Sequence, residues 1–268
     1  MALRSPNLNV MIRAAREASI KLKRDYGEVD QLQVSKKGPA DYVTAADIRT
    51  EKILRGELTK ARPDYGFLME EAGVVEGTDP DRRWIIDPID GTTNFVHGIA
   101  HFAMSIALQE HGRITAGVVF NPISEELFCA ELGQGAYLND RRIRVSSRGA
   151  MDNAVFATGI PFLGRGSEGD HQTFLKEMGA VMAVSSGIRR FGSAALDLAF
   201  VAAGRYDGFW ETGLQPWDIA AGVILVREAG GLVTDIQGRD LRLEAGSILT
   251  ANRNLHQPLG QTLRQARK

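Results

Sequence analysis

Three groups of acidic residues carry the chemistry open to this chain: Glu70-Glu71, the pair Asp87 and Asp90, and Asp218 behind Trp217. Asp87 and Asp90 follow the apolar run Trp84-Ile85-Ile86. Two uncompensated carboxylates beside a core repel one another and lose hydration, and a cation between them removes that cost. Hard ions such as Mg²⁺ take oxygen ligands, commonly one or two carboxylates with waters and phosphate oxygens, whereas zinc prefers His or Cys. Pro88 fixes φ and turns the chain, so Asp90 and the Ile89 carbonyl can face the same ion as Asp87. The residue types leave a second reading open. An Asp-x-x-Asp turn commonly caps its own backbone, Asp218 heads the apolar run Ile219 to Val226 as an N-cap would, and paired glutamates are ordinarily solvated.

Other chemistries are poorly supplied. Gly91-Thr92-Thr93 offers small residues whose N–H groups can approach a phosphate at a helix start, yet there is no Walker string, no Gly-x-Gly-x-x-Gly after a strand and no Gly-x-Ser-x-Gly. Cys129, the single cysteine, lies between apolar neighbours and reads as an inert buried thiol. His97 and His101 are four apart without the His-Glu-x-x-His string of metalloproteases, so metal ligation by them is not expected. The basic pairs Lys36-Lys37 and Arg189-Arg190 fit solvated surface better than substrate steering.

The elements that must position the acids are partly legible. Leu8, Met11, Ile12, Ala15 and Ile20 recur at helical spacing and predict an amphipathic helix over residues 6–26, stopped by Gly27. A second helix is predicted from Thr44 or Ala45 to Pro63, with Asp47 in its first turn. Trp84 to Ile86 predicts a buried strand that stops at Asp87 and opens into a polar loop. Residues 103–109, 114–120 and 127–131, separated by His111-Gly112 and Asn121-Pro122, predict an antiparallel meander. Beyond residue 140 strands and helices alternate, which suggests sub-halves 1–140 and 141–268 within one domain spanning 1–268. With 44% hydrophobic and 24% charged residues the composition is that of a globular protein, and a net charge of −1 gives no field that favours nucleic acid as main partner. Neither a secretion signal nor a membrane span is read in the sequence, so a soluble, cytoplasmic protein is expected.

Trp84-Ile85-Ile86-Asp87-Pro88-Ile89-Asp90-Gly91-Thr92-Thr93-Asn94-Phe95 closely resembles the first signature of the inositol monophosphatase family. Trp217-Asp218-Ile219-Ala220-Ala221-Gly222, running on to Glu228-Ala229-Gly230-Gly231, resembles the second. The similarity extends through Asp41 to Asp47, Glu70-Glu71 and Phe191-Gly192-Ser193-Ala194-Ala195, with one departure at Met69, where many members have glycine. The resemblance implies a layered α-β-α-β-α sandwich of the sugar-phosphatase type and a Mg²⁺-dependent, lithium-sensitive hydrolase of small phosphate monoesters. By position it implies Glu70, Asp87 and the Ile89 carbonyl at one ion, Asp87, Asp90 and Asp218 at a second, and Glu70 at a third held more weakly. It further implies phosphate binding by Gly91 and Thr92, and Asp47 orienting Thr92 near the attacking water. Ala194, Glu211 and Asp218 would contact a phosphorylated polyol. The expected substrate is myo-inositol monophosphate; relatives that use fructose 1,6-bisphosphate, histidinol phosphate or 3'-phosphoadenosine 5'-phosphate share the signatures. A homodimer is also expected, and some bacterial relatives contact the transcription or ribosomal-RNA synthesis machinery.

Overall fold

Ser5 starts the first helix by accepting a hydrogen bond from the Leu8 N–H, and Pro6 follows where its missing N–H costs nothing. This helix, α1 (Pro6–Gly27), buries Leu8, Met11, Ile12, Ala15, Ala18 and Leu22. Ile20, expected on that face, is 68% exposed, because the buried stripe steps from Ala15 through Ala18 and Ser19 to Leu22. The structure is a computed structural model that describes residues 4–29, 34–38, 41–161 and 167–268, with the backbone alone for 34–38 and 41–43. The Lys36 and Lys37 side chains therefore lie outside the described residues. A hairpin of β1 (Val34–Gly38) and β2 (Asp41–Thr44) leads into α2 (Ala45–Ala61).

An eight-stranded sheet follows from β3 (Tyr65–Met69), β4 (Gly73–Val75) and β5 (Asp79–Asp90). After the short α3 (Thr92–Val96) it continues with β6 (Ala103–Glu110), β7 (Arg113–Asn121), β8 (Glu126–Glu131), β9 (Gly135–Leu138) and β10 (Arg141–Ile143). The order is β10-β9-β8-β7-β6-β5-β3-β4, with β3 and β5 parallel and the other pairs antiparallel. The expected meander is its β6-β7-β8 core. Strand β5 does not stop at Asp87 as the sequence suggested: pairing with β6 carries it to Asp90.

The second sheet is built from β11 (Val155–Thr158), β12 (Gly187–Arg189), β13 (Gly208–Thr212), β14 (Leu232–Thr234) and β15 (Ser247–Ala251), in the order β12-β11-β13-β15-β14. Helices α4 (Glu168–Met182), α5 (Ala194–Ala202), α6 (Pro216–Glu228) and α7 (His256–Ala266) alternate with these strands. Helices α1 and α2 cover one face of the first sheet, α5 and α6 lie between the sheets, and α4 and α7 cover the far face of the second. That is the expected α-β-α-β-α sandwich.

Strand alternation sorts the core. On β5, β6 and β7 the residues Trp84, Ile86, Met104, Ile106, Val118 and Phe120 meet α1 and α2, while Ile85, Ala107 and Val119 meet α5 and α6. The α6 side is lined by small residues. A Cβ on Gly117 would lie 2.5 Å from Ile224 Cγ2 and 2.8 Å from the Ala221 carbonyl, so this glycine sets how closely α6 approaches β7. Gly117→Ala is accordingly expected to destabilise the fold by about 1–3 kcal/mol, read as a lower urea midpoint at unchanged slope.

Candidate active site

Asp87 and Asp90 are three apart, and in a regular strand they would face opposite sides of the sheet. In β5 they do not. Asp87 pairs with Ser105 and Asp90 with Ala103, so β5 spends one extra residue between them, at the Pro88-Ile89 step. This bulge reverses the parity and brings both carboxylates to the same end of the sheet; Pro88, with no N–H to pair, is at home in it. Ligand oxygens of Asp87, Asp90 and Asp218 lie within 4.8 Å of one another. Burial pushes the Asp87 carboxyl well above its usual range, and the charges of Glu70, Asp90 and Asp218 push it further.

Helix starts hold the acids in place. One oxygen of Asp90, Oδ2, accepts from Ser193 Oγ at 2.5 Å and from the Ala195 N–H at 2.7 Å, both at the start of α5. Asp218 is the third residue of α6, where its Oδ2 accepts from the Gln215 N–H at 2.7 Å. Asp47 is the third residue of α2 and accepts from the Thr44 N–H at 2.8 Å and Thr44 Oγ1 at 2.6 Å. Each acid thus meets the positive end of a helix. The capping expected of such residues is real, and it engages one oxygen each of Asp90 and Asp218.

Glu70 is positioned by a residue the sequence did not single out. Glu51, buried on α2, accepts from the Glu71 N–H and the Ala72 N–H, each at 2.9 Å, and so fixes the turn after β3. Met69 ends β3 fully buried among α1, α2 and the sheet, and the positive φ of this turn falls on Gly73, so no glycine is needed at 69. Glu70 lines the same small cavity, about 100 Å³, as Asp87, Ile89, Asp90, Gly91, Thr92, Ala194, Glu211 and Asp218. Of the residues expected at the site, only Asp47 is set behind that wall. Its Oδ1 lies 3.3 Å from Thr92 Oγ1, which also donates to the Ile89 carbonyl at 3.0 Å, and burial raises the Asp47 carboxyl to about 6.

A larger cavity of about 660 Å³ adjoins on the side of Glu70, Glu211 and Asp218 and runs out past Trp217 and Phe174. Glu211, at the end of β13, folds over Gly159, where any Cβ would meet its carboxylate at about 2 Å. The histidines stand apart from the acids: His97 Nδ1 is 2.8 Å from the Thr93 carbonyl, and His101, lowered to about 4 by burial, faces Phe191 and Phe200. Cys129 is buried and its thiol is pushed up by burial. Arg190 lines the small cavity, while Arg189 turns back to the Ile188 carbonyl. No described helix is long and apolar enough to cross a membrane.

A donor set of carboxylate oxygens and one carbonyl, crowded enough to raise Asp87, fits a hard divalent cation such as Mg²⁺ and suits zinc poorly. Known proteins agree with that chemistry. The profile of the Inositol monophosphatase family matches residues 4–268. An Inositol-1-monophosphatase of Rhizobium meliloti is 56% identical over 98% of this chain and 97% of its own length. A protein of Pseudomonas aeruginosa named Nus factor SuhB is 45% identical over 96% of each chain. The crystal structure of the extragenic suppressor protein suhB from Bartonella henselae superposes with a TM-score of 0.94 at 55% identity, covering 97% of this chain and 99% of that one. The chain belongs to the inositol monophosphatase family and is a phosphoric monoester hydrolase.

Proposed function

We infer that the chain hydrolyses myo-inositol monophosphate to myo-inositol and inorganic phosphate with two to three Mg²⁺ ions. The observation that carries this reading is the convergence of three carboxylate oxygens within 4.8 Å beside the Gly91-Thr92 turn. Asp87, Asp90 and Asp218 would hold one ion, Glu70, Asp87 and the Ile89 carbonyl another, and Glu70 a third. Bound Mg²⁺ supplies a lowered pKa for water and neutralises charge on the phosphoryl oxygens. The rest falls to the chain. The first-turn N–H groups at Gly91 and Thr92 face the phosphate, since a helix start leaves such donors without intrahelical partners. Asp47 accepts a hydrogen bond from the Thr92 hydroxyl, which leaves an oxygen lone pair of Thr92 to accept a hydrogen bond from the attacking water. Glu211 and the Ala194 backbone hold ring hydroxyls of the departing polyol.

Phosphate release with Mg²⁺ should be fastest on inositol 1-phosphate in a panel that includes fructose 1,6-bisphosphate, histidinol phosphate and 3'-phosphoadenosine 5'-phosphate. A tenfold better kcat/KM on another member would replace the substrate and leave the reaction class. Glu211→Gln is expected to lower kcat/KM on inositol 1-phosphate far more than on 4-nitrophenyl phosphate. One charge-assisted hydrogen bond contributes about 1.5–3 kcal/mol, roughly ten- to a hundredfold in rate, and the aryl ester has no hydroxyl to lose it. Equal losses on both substrates would remove Glu211 from the specificity role.

A homodimer in the cytoplasm is part of the same proposal, and sedimentation of the purified protein tests the assembly. The relative named Nus factor SuhB favours a second property, binding to transcription complexes. The four intact acids favour catalysis as the site's own role, so such binding would be an addition to it. Retention of RNA polymerase subunits on the immobilised protein, but not on a control column, would support it.

A further inference from the structure

The geometry points to Asn94 as a positioning residue that clamps the phosphate-binding turn to the segment holding Asp90, an inference resting on the phosphatase reading above. Asn94 is 7% exposed and lies in α3, directly after Gly91-Thr92-Thr93. Its Nδ2 donates to two carbonyls from different parts of the chain, His101 at 2.7 Å and Phe191 at 2.6 Å. An amide NH₂ has two hydrogens, and both are used. The opposite flip would set the amide oxygen against two carbonyl oxygens, so the donor orientation is the one the surroundings permit.

Those two carbonyl segments form the walls around Gly91. A Cβ there would meet the Gly192 and His101 carbonyls, each at 3.2 Å, and φ is +98°, so the turn fits only as glycine wedged between them. The walls also touch each other, because the His101 and Phe191 rings meet at a 40° tilt with centroids 5.1 Å apart. Two residues beyond Phe191, Ser193 gives its hydroxyl to Asp90 Oδ2 at 2.5 Å. Asn94 therefore fixes the distance between the turn that faces phosphate and the loop that seats a metal-facing carboxylate. Asn94 borders the small cavity, and its two side-chain hydrogen bonds go to the backbone of these walls, so it acts as a positioning residue and not a catalytic one.

Asn94→Asp keeps the side-chain shape and replaces the double donor by an acceptor that repels both carbonyls. Steady-state hydrolysis of 4-nitrophenyl phosphate and of inositol 1-phosphate with Mg²⁺, together with inhibition by inorganic phosphate, should be measured well below the melting temperature. The expected result is a kcat about ten- to a hundredfold lower and a phosphate inhibition constant raised at least about tenfold, the range in which outer partners of metal ligands act. A variant that melts lower but keeps kcat and phosphate inhibition within twofold of wild type would overturn the clamp and leave Asn94 a structural residue. A loss of kcat with unchanged phosphate inhibition would overturn it as well, since the turn would not have moved. Where Asn94→Asp does not fold, Asn94→Ser, which keeps one shorter donor, carries the same two outcomes at smaller size. Failure of the wild-type protein to hydrolyse either ester would instead defeat the phosphatase reading itself.

Discussion

Asp90→Asn is expected to remove more than about a hundredfold of the phosphate-release rate while leaving the fold intact, because losing even an outer partner of a metal ligand costs about 10–100-fold. The reason lies in how the side chain is already committed. Asp90 Oδ2 accepts from Ser193 Oγ and from the Ala195 N–H. Ser193 can rotate its hydroxyl, but the backbone N–H cannot become an acceptor. The asparagine oxygen must therefore stay on the α5 side, and its NH₂ turns toward the cation site, presenting positive hydrogens where a negative oxygen stood. The same change relieves one of the charges that raise the Asp87 carboxyl, so the metal-free variant should melt no lower than wild type. Added Mg²⁺ should raise the wild-type melting temperature and move the variant much less, since stabilisation by a ligand follows its affinity for the folded state. Near-normal turnover, or an equal Mg²⁺-dependent shift in both proteins, would take Asp90 out of the metal site.

Much of this site could be read from residues, and the unread part has physical causes. The two signature segments carried Asp87, Ile89, Asp90, Gly91, Thr92 and Asp218, all of which line one cavity. Helical periodicity gave α1 and α2, and Asp47 does fall in the first turn of α2. The bulge at Pro88 was not foreseen, because nothing local says that β6 will keep pairing as far as Ala103; long-range partners decide where a strand ends. Glu51 escaped for a related reason. It is a helix residue whose partners, Glu71 and Ala72, are about twenty positions away, and no spacing rule links them. Ser193 and Asn94 were visible as motif letters but not as donors to Asp90, His101 and Phe191. Helix α4 was missed because, among its described residues, the buried ones are only Glu177 and Val181, too few for a periodic signal. Helix α7 carries Leu259 and Leu263 on one buried face with Leu255 just before it, a pattern that could have been used.

The capping reading and the proposed metal reading of these acids are compatible in one arrangement. An Asp in the first turn of a helix has its position fixed by backbone N–H groups that exist whatever else binds, and Asp218 and Asp47 are held this way from within their own helices. Asp90 is held from outside, by the start of a helix about a hundred residues later in the chain. The starts of α5 and α6 thus hold Asp90 and Asp218 at one small cavity, with the start of α2 behind its wall, and a helix start favours a carboxylate as it does a phosphate. In a site of this kind the acids have fixed backbone partners apart from any ligand. Orientation within it should therefore matter more to rate than to binding.

Thr92→Ala is the sharpest test of that expectation: the maximal rate should fall by on the order of a hundredfold, with little change in the Mg²⁺ concentration needed for half-activity. Thr92 Oγ1 has one hydrogen and two acceptors in reach, the Ile89 carbonyl at 3.0 Å and Asp47 Oδ1 at 3.3 Å. If the Ile89 carbonyl turns its lone pair to a cation, Asp47 becomes the better acceptor, and the hydroxyl then presents a lone pair to the attacking water. Alanine removes that lone pair and no carboxylate ligand. Asp47→Asn should give a similar loss, because its Oδ2 position is tied to the Thr44 N–H, a donor that requires an oxygen opposite it. The amide NH₂ is then left facing Thr92, and the hydroxyl hydrogen is turned away from it toward the water. If both residues act only through this one hydrogen bond, the double variant should be scarcely slower than either single variant, as groups that work as a unit behave. Rate losses that multiply in the double variant would separate the two residues. A large rise in the Mg²⁺ requirement of Thr92→Ala would show that the hydroxyl matters for holding the Ile89 carbonyl in place, and would return Asp47 to its work as the cap of α2.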